Sequence, residues 1–239
     1  MKISVQNLSF GFTEELLFER LCIDIEGGER PLVILGPSGS GKTTFLKLLG
    51  GLLKAQSGEI YFSGETAFMF QEPRLLPWLT VLDNVSLPLK KIYVNEEAEA
   101  RARHFLSLVS LQEKEGAFPV ELSGGQAQRV SMARAFAWPA PALFMDEPFQ
   151  SLDIPLRIDL MDLTLSLLEK EKRLLIAVTH DPREAIYMGG RIIILGRAGE
   201  GVVFDRVVEL SDRVYGTASA IELEKELIDV LKKYTGGKT

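Results

Sequence analysis

Three short segments of this 239-residue chain carry groups that can bind phosphate or a metal ion. The first is Gly36-Pro37-Ser38-Gly39-Ser40-Gly41-Lys42-Thr43, followed by Thr44, and it matches G-x-x-x-x-G-K-[ST] at every fixed position. Backbone N–H groups of such a loop can cradle the phosphates of a nucleotide, the Lys42 ammonium can reach the β- and γ-phosphates, and the Thr43 hydroxyl can ligate Mg²⁺. The segment therefore predicts that ATP is bound with Mg²⁺.

The second segment is a pair of adjacent carboxylates, Asp146 and Glu147, which follows the apolar run 142–145. Open α/β sheets bind their ligands at the carboxyl ends of strands, and this is where Asp146 is expected to lie. Asp146 is predicted to support Mg²⁺. Because Glu147 is the next residue, it should point elsewhere, toward an attacking water, and serve as the general base.

The third segment is Ser123-Gly124-Gly125-Gln126, which reads as the start of a helix with Ser123 as its N-cap. A helix N-terminus is a second anion-binding geometry, in a chain that has one complete phosphate loop.

The elements that position these segments alternate between strands and helices, which predicts an α/β fold with a mostly parallel sheet. The strand at 31–35 runs into the phosphate loop, and Phe45, Leu48 and Leu49 continue at helical spacing. Further strands are predicted at 2–8, 21–25, 59–62, 66–70, 142–145, 173–178 and 191–195, with 59–62 and 66–70 taken as a strand pair and Gly27-Gly28 as a turn. Further helices are predicted at 96–110, after Ser123, after Asp153, and at 221–234, before a frayed end at 236–239.

Composition excludes some classes of function. The chain has 27 basic and 33 acidic residues, a net charge of −6, so no strong positive field recruits nucleic acid. Its one cysteine, Cys22, allows no internal disulfide and, within an apolar-alternating stretch, is expected to serve packing rather than reactivity. No run approaches the roughly 20 apolar residues of a membrane span, and the N-terminus lacks the apolar core of a signal peptide. The chain is therefore not expected to form a membrane-spanning segment of its own.

Leu122-Ser123-Gly124-Gly125-Gln126, set between the phosphate loop and the Asp146-Glu147 pair, resembles the signature of the nucleotide-binding subunit of ATP-binding cassette (ABC) transporters. The resemblance runs from Asn7 to about Leu195. It implies a P-loop NTPase core with a mostly parallel sheet and flanking helices, a small antiparallel β subdomain, and a helical subdomain inserted after Gln71. The expected organisation is one ATPase domain, 1–239, with the core in 1–71 and 138–239 and the helical subdomain in 72–137.

The same resemblance implies further site residues. Gln71 would contact Mg²⁺ and the attacking water, and His180 would contact the γ-phosphate. Phe12 would stack on adenine, with the neighbouring Phe10 as the alternative. The second anion site would be used in a head-to-tail homodimer, in which Ser123 to Gln126 close on ATP held by the partner subunit. The segment Ser151-Leu152-Asp153 would cross the seam between the subunits.

The loop that begins Gln71-Glu72-Pro73 and continues to Val81 resembles the branch that energises bacterial import of nitrate, taurine and alkanesulfonates. Its apolar residues Leu75, Leu76, Trp78 and Leu79 can dock a permease subunit through the 72–81 region, or can belong to the core; both interpretations stay open. The expected assembly includes a solute-binding protein, no nucleic acid, and a peripheral position on the cytoplasmic face of the inner membrane. A soluble ABC ATPase of DNA repair or translation, or the cassette of an exporter, is the alternative.

Two segments of the chain are shorter than the family pattern, and each shorter length leads to a prediction. The stretch between Lys42 and Gln71 is short, which predicts a trimmed antiparallel subdomain. The segment after Leu195 is also short, and it leaves little room for a separate regulatory domain.

Overall fold

The structure is a computed structural model that describes residues 1–27, 31–150, 152–209 and 216–235. The elements in chain order are β1 (Lys2–Phe10), β2 (Phe18–Glu26), β3 (Leu32–Leu35), α1 (Lys42–Leu49), β4 (Ser57–Tyr61), β5 (Thr66–Met69), α2 (Val81–Leu89), α3 (Asn95–Leu108), α4 (Gly124–Ala137), β6 (Ala142–Asp146), α5 (Ile154–Glu171), β7 (Leu174–Val178), α6 (Pro182–Met188), β8 (Arg191–Leu195), β9 (Val202–Val207) and α7 (Ala218–Thr235). Short 3₁₀ turns cover Gln112–Lys114 and Pro119–Glu121. The chain divides into two compact units, Met1–Gly64 with Leu168–Thr239, and Glu65–Leu167.

The first unit contains a three-stranded antiparallel sheet in the order β2-β1-β4. Side chains alternate across β2, so Leu21, Ile23 and Ile25 are buried while Cys22 is exposed. Cys22 therefore does not pack with Leu21, Ile23 and Ile25 as predicted, because a one-residue offset in a strand places a side chain on the opposite face.

The first unit also contains the strands β7-β3-β8, which are parallel, with β9 antiparallel beside β8. All four residues of β3 are buried, as expected of a central parallel strand covered on both faces. Ile34 is in register with Val178, so β3 and β7 end at the same edge of the sheet. The phosphate-loop segment and the His180 segment both begin at that edge.

The second unit pairs β5 with β6 in parallel and packs α2, α3 and α4 together. The predicted strand pair 59–62 and 66–70 does not form, because β4 pairs with β1 and β5 pairs with β6. Burial explains the separation: β4 is largely exposed, whereas β5 buries Ala67 and Met69 and lies against the fully buried β6.

Three elements have no counterpart among the predicted ones: α2, α6 and β9. A signal for α2 is present, since the Thr80 hydroxyl accepts a hydrogen bond from the Asp83 N–H and caps the helix. The division of the chain at 72 and 137 stays a prediction, as the second compact unit also includes the two strands β5 and β6.

Within the described residues, no helix combines the length and apolar character that crossing a bilayer requires. The predicted turn at Gly28, the residue Ser151 and the predicted frayed end at 236–239 lie outside the described residues.

Candidate active site

The loop between β3 and α1 folds back on its own lysine. The Lys42 ammonium donates to the carbonyl oxygens of Gly36, at 2.8 Å, and Pro37, at 3.0 Å. Among the described residues, the N–H groups of Gly39 and Gly41 donate no hydrogen bond. Backbone donors, a cation and the start of a helix therefore meet in one loop, the arrangement that binds phosphate groups.

Two glycines of this loop have no space for a side chain. At Gly41, φ is 88° and a Cβ atom would lie 2.7 Å from Leu17 Cδ2. At Gly36, a Cβ atom would lie 2.5 Å from Ser40 Oγ, and Ser40 is itself buried. A Cβ at Gly39 would meet nothing within 4 Å, so the loop is open on that side. The cradle accordingly fits a phosphate chain that approaches over Gly39.

His180 follows β7 at the same sheet edge and is exposed. The Thr179 N–H donates to the carbonyl of Ile34 at 3.2 Å, which holds the end of β7 against the end of β3. The helix α6 begins two residues after His180, with the Asp181 carboxylate accepting from the Arg183 N–H at 2.8 Å. The first unit thus brings the predicted phosphate loop and the predicted γ-phosphate contact to one edge.

The second unit carries the predicted metal ligand and the predicted base. Asp146 ends β6 and is 2% exposed. Glu147 has a left-handed backbone with φ of 48°, a conformation that costs roughly 1–3 kcal/mol for a non-glycine residue and tends to occur at functional sites. This turn gives two consecutive carboxylates different surroundings, as their predicted roles require.

Gln71 lies beside Glu147. Its side-chain amide donates to Glu147 Oε2 at 3.4 Å and to Gln150 Oε1 at 3.0 Å. Two predicted catalytic residues are therefore in contact although they are far apart in sequence. Gln150 was missed in the sequence, where its only signal is its position three residues after Glu147.

A half-buried arginine supports the loop that follows Gln71. Arg134 of α4 donates to the carbonyl oxygens of Pro73, at 2.7 Å, and Arg74, at 3.0 Å. Burial lowers the pKa of Arg134, but a guanidinium stays protonated in proteins. The signature helix and the Gln71 loop are therefore joined by charge-assisted hydrogen bonds.

The next part of this loop is held by Asn84 of α2, a buried residue. Its amide donates to the carbonyls of Leu76, at 3.1 Å, and Leu79, at 3.2 Å, and its oxygen accepts from the Leu76 N–H at 2.7 Å. Trp78 is 70% exposed on this supported loop, while Leu75, Leu76 and Leu79 are half-buried. The core interpretation is therefore wrong for Trp78.

The signature segment begins α4 with a capping box. The Ser123 hydroxyl accepts from the Gln126 N–H at 3.2 Å, and the Ser123 N–H donates to Gln126 Oε1 at 2.9 Å. A Cβ at Gly124 would meet nothing within 4 Å, so the helix start is open there. Asp153 similarly heads α5, accepting from the Leu156 N–H at 3.0 Å. Ser123 and Asp153, one from each predicted inter-subunit segment, are thus exposed residues at helix starts.

The two candidate aromatic residues differ in burial. Phe12 is 71% exposed, whereas Phe10 is 7% exposed, and their rings meet edge to face with centroids 5.0 Å apart. The exposed ring is the one that can stack on a base, so the structure favours Phe12.

We therefore expect Phe12→Ala to raise the KM for ATP by roughly 5-fold at unchanged melting temperature, because one stacking contact contributes about 1 kcal/mol. Phe10→Ala is the matched comparison. It should destabilise the fold by about 3–5 kcal/mol, as truncating a core phenylalanine does. Equal KM values for the Phe12 variant and the wild type would remove Phe12 from the nucleotide site.

The donor set also fits Mg²⁺. Magnesium is usually held by one or two carboxylates, hydroxyl or amide oxygens and the substrate's phosphates, and Asp146, Thr43 and Gln71 offer oxygens of these kinds. These metal-binding roles stay predictions, as do the nucleotide contacts of the loop and of Ser123, Gly124, Gly125 and Gln126.

Comparison with known proteins agrees with the resemblance to ABC transporter subunits. The sequence model of the family described as "ABC transporter" matches residues 18–150. An aliphatic sulfonates import ATP-binding protein, SsuB, of Corynebacterium glutamicum is 44% identical over 188 residues, covering 78% of this chain and 76% of the relative. The aliphatic sulfonates import ATP-binding protein SsuB 2 of Rhodococcus jostii is 37% identical over 234 residues, covering 96% of this chain and 92% of the relative.

Among solved structures, the ATP-binding cassette MJ0796, a dimer in a post-hydrolysis state with ADP and Pi, is similar with a TM-score of 0.79 and 32% identity. The likeness covers 87% of this chain and 99% of that one. The expected P-loop NTPase core, antiparallel sheet and helical part are confirmed by this match. The chain belongs to the ABC transporter family, as one of its ATP-binding, ATP-hydrolysing cassettes.

Proposed function

We propose that this chain is the ATPase subunit of a membrane importer for aliphatic sulfonates, and that it works as a head-to-tail homodimer with two composite ATP sites. The observation that carries the proposal is its 37–44% identity to importer subunits named for that solute class. The loop from Gln71 to Val81, which resembles the same importer branch in the sequence, supports it.

In the proposed reaction, ATP and water give ADP and phosphate. The loop amides and Lys42 hold the β- and γ-phosphates, while Thr43 and Asp146 hold Mg²⁺, which neutralises phosphate charge when bound. Glu147 accepts a proton as the water oxygen bonds to the γ-phosphorus, and the bond from that phosphorus to the β–γ bridging oxygen breaks.

Gln71 and His180 act beside the reacting groups in this proposal. The Gln71 amide, which donates to Glu147 here, would move to the attacking water and Mg²⁺ once nucleotide is bound. A neutral amide suits such a reversible contact, since it leaves a cation at low electrostatic cost. His180 would hydrogen-bond the γ-phosphate.

The homodimer accounts for the second anion site. The exposed start of α4 offers backbone donors and a helix dipole to phosphate, and Gly124 leaves it open. Asp153, which is exposed, would lie at the seam. The dimeric form of the similar cassette MJ0796 supports this arrangement.

The membrane partners would be permease subunits, joined by a solute-binding protein, with this chain peripheral on the cytoplasmic face of the inner membrane. The 72–81 segment is the proposed docking region. Its backbone is held by Arg134 and Asn84, so it presents Trp78 outward on a stiff support.

Trp78→Ala should therefore leave the melting temperature and basal ATPase rate of the isolated subunit unchanged. Truncating a core tryptophan lowers the free energy of unfolding by about 3–5 kcal/mol. Trp78 is exposed, so no such loss of stability is expected. Assembly with the permease and solute-stimulated hydrolysis should fall. Phe136→Ala, which truncates a buried residue of α4, is the destabilising comparison. A large drop in the melting temperature of Trp78→Ala would contradict the docking role.

Solute-stimulated hydrolysis tests the proposed function. The subunit, its permease and its solute-binding protein are reconstituted in proteoliposomes, and ATPase rates are measured with pentanesulfonate, nitrate or sulfate. Pentanesulfonate should stimulate hydrolysis and be taken up, and Lys42→Ala should abolish both. Stimulation by nitrate alone would reassign the solute. Stimulation by DNA or ribosomes, or outward transport, would instead favour a repair or translation ATPase or an exporter.

A further inference from the structure

A buried carboxylate is hydrogen-bonded to Thr179, the residue that precedes His180. Glu184, in the first turn of α6, is 5% exposed, and its Oε2 accepts a hydrogen bond from the Thr179 hydroxyl at 2.5 Å. Glu184 has no place in the reaction described above. A buried carboxylate destabilises a fold unless it is hydrogen-bonded, and an apolar side chain of similar volume generally serves packing as well or better.

Thr179, the residue before His180, makes hydrogen bonds through both its backbone and its side chain. Its N–H donates to the Ile34 carbonyl at 3.2 Å, and its hydroxyl oxygen accepts from the Asp181 N–H at 3.2 Å. The Thr179 hydroxyl therefore joins the residue after His180 to the carboxylate of Glu184. Ile34 is in the strand that leads into the phosphate loop, so this network ties the backbone around His180 to the base of that loop.

From this network we infer that Glu184 is a positioning residue for ATP hydrolysis, acting through Thr179 to hold His180 in its catalytic orientation. The inference rests on the proposed contact between His180 and the γ-phosphate. Hydrogen bonds that fix Thr179 restrict the orientations open to the neighbouring His180 side chain. A displacement of about 1 Å of a catalytic group can lower the rate 100-fold.

The alternative to a positioning role is that Glu184 only stabilises the fold. A carboxylate in the first turn of a helix interacts favourably with the helix dipole and stabilises the fold by about 0.3–1 kcal/mol. Such a role would change the melting temperature, but it would leave the kcat of the folded protein unaltered. The two roles are therefore separated by the rate per folded subunit.

The test uses the full-length subunit with Mg²⁺ and ATP. Glu184→Ala should lower kcat by roughly 10- to 100-fold, with the KM for ATP within about 2-fold of wild type, because the phosphate loop is untouched. Glu184→Gln keeps an acceptor for the Thr179 hydroxyl and should retain most of the rate. Thr179→Val removes that hydroxyl and should match Glu184→Ala, whereas Thr179→Ser restores it and should rescue turnover. If Glu184→Ala does not fold, the Thr179 pair carries the test.

A double-mutant cycle shows whether the effect passes through His180. In a His180→Ala background, adding Glu184→Ala or Thr179→Val should lower kcat no further. A full additional loss in that background, or a loss of rate that only follows the loss of folded protein, would overturn the inference. If His180→Ala lowers kcat but Glu184→Ala and Thr179→Val do not, this inference alone fails. If His180→Ala retains wild-type kcat, the proposed role of His180 fails and the inference with it.

Discussion

Glu147→Gln should lower the turnover of ATP by roughly 100- to 10,000-fold, the range that general-base catalysis contributes, while ATP binding is retained. Glutamine has nearly the shape of glutamate and can still accept a hydrogen bond from the Gln71 amide, which lies 3.4 Å from Glu147 Oε2. The loop around the site should therefore be preserved. What is lost is the ability to take a proton from water.

A subunit that binds ATP without hydrolysing it should accumulate as the ATP-bound dimer. The measurements are single-turnover hydrolysis, ATP affinity, and the oligomeric state with ATP by size-exclusion chromatography. Glu72→Gln is the matched control, since Glu72 is an exposed carboxylate beside Gln71 and has no predicted catalytic role. Near-normal hydrolysis by Glu147→Gln would remove Glu147 from the role of base.

Lys42→Ala should weaken ATP binding by roughly 10- to 100-fold, because a charge-assisted hydrogen bond contributes about 1.5–3 kcal/mol. The ammonium lies over the loop, bonded to the Gly36 and Pro37 carbonyls, where phosphate oxygens are expected to bind. Lys47→Ala, in the last turn of the same helix, is the control for loss of a positive charge from α1. Unchanged affinity in Lys42→Ala would count against the loop as the phosphate site.

Mixing two inactive subunits should recover activity if each ATP is enclosed by both chains. A Lys42→Ala subunit keeps its signature, and a Ser123→Arg subunit keeps its loop, so their mixed dimer has one intact composite site. Recovery of at most about a quarter of the wild-type rate is expected from equal amounts, since half of the dimers are mixed and each has one working site.

The Ser123 substitution needs its own control because Ser123 caps α4. Losing a serine N-cap costs about 1 kcal/mol, and Ser123→Ala loses the same cap without placing bulk at the proposed interface. The alanine variant loses the cap and the serine hydroxyl but adds no bulk, so it should keep more activity than the arginine variant. Full activity of Ser123→Arg alone, or no recovery from a mixture that forms dimers, would argue against the composite site.

The parts of the site that depend on local backbone geometry can be predicted from residue types and their spacing. At Gly41, a positive φ and a close approach by Leu17 leave no room for a side chain. The conformation of the loop is therefore visible in the sequence as glycines at fixed positions. The start of α4 is likewise local, because Ser123 and Gln126 cap each other three residues apart. Short-range constraints of this kind leave a readable pattern of residue types.

Features that depend on contacts between distant segments cannot be predicted in this way, because they are set by packing. The strands β4 and β5 are neighbours in sequence but enter different pairings, since pairing follows burial against partners elsewhere in the chain. Alternation along a strand predicts that Cys22 and Leu21 lie on opposite faces of β2, but it does not predict which face the rest of the protein buries.

The same limit applies to the catalytic contacts. Gln71 reaches Gln150 and Glu147 only after β5 has paired with β6, because that pairing brings the ends of two distant segments together. The exposure of Trp78 likewise depends on support from a helix outside its own loop. Residue type and spacing identified the groups that can do chemistry, whereas packing between distant segments decided which of them meet.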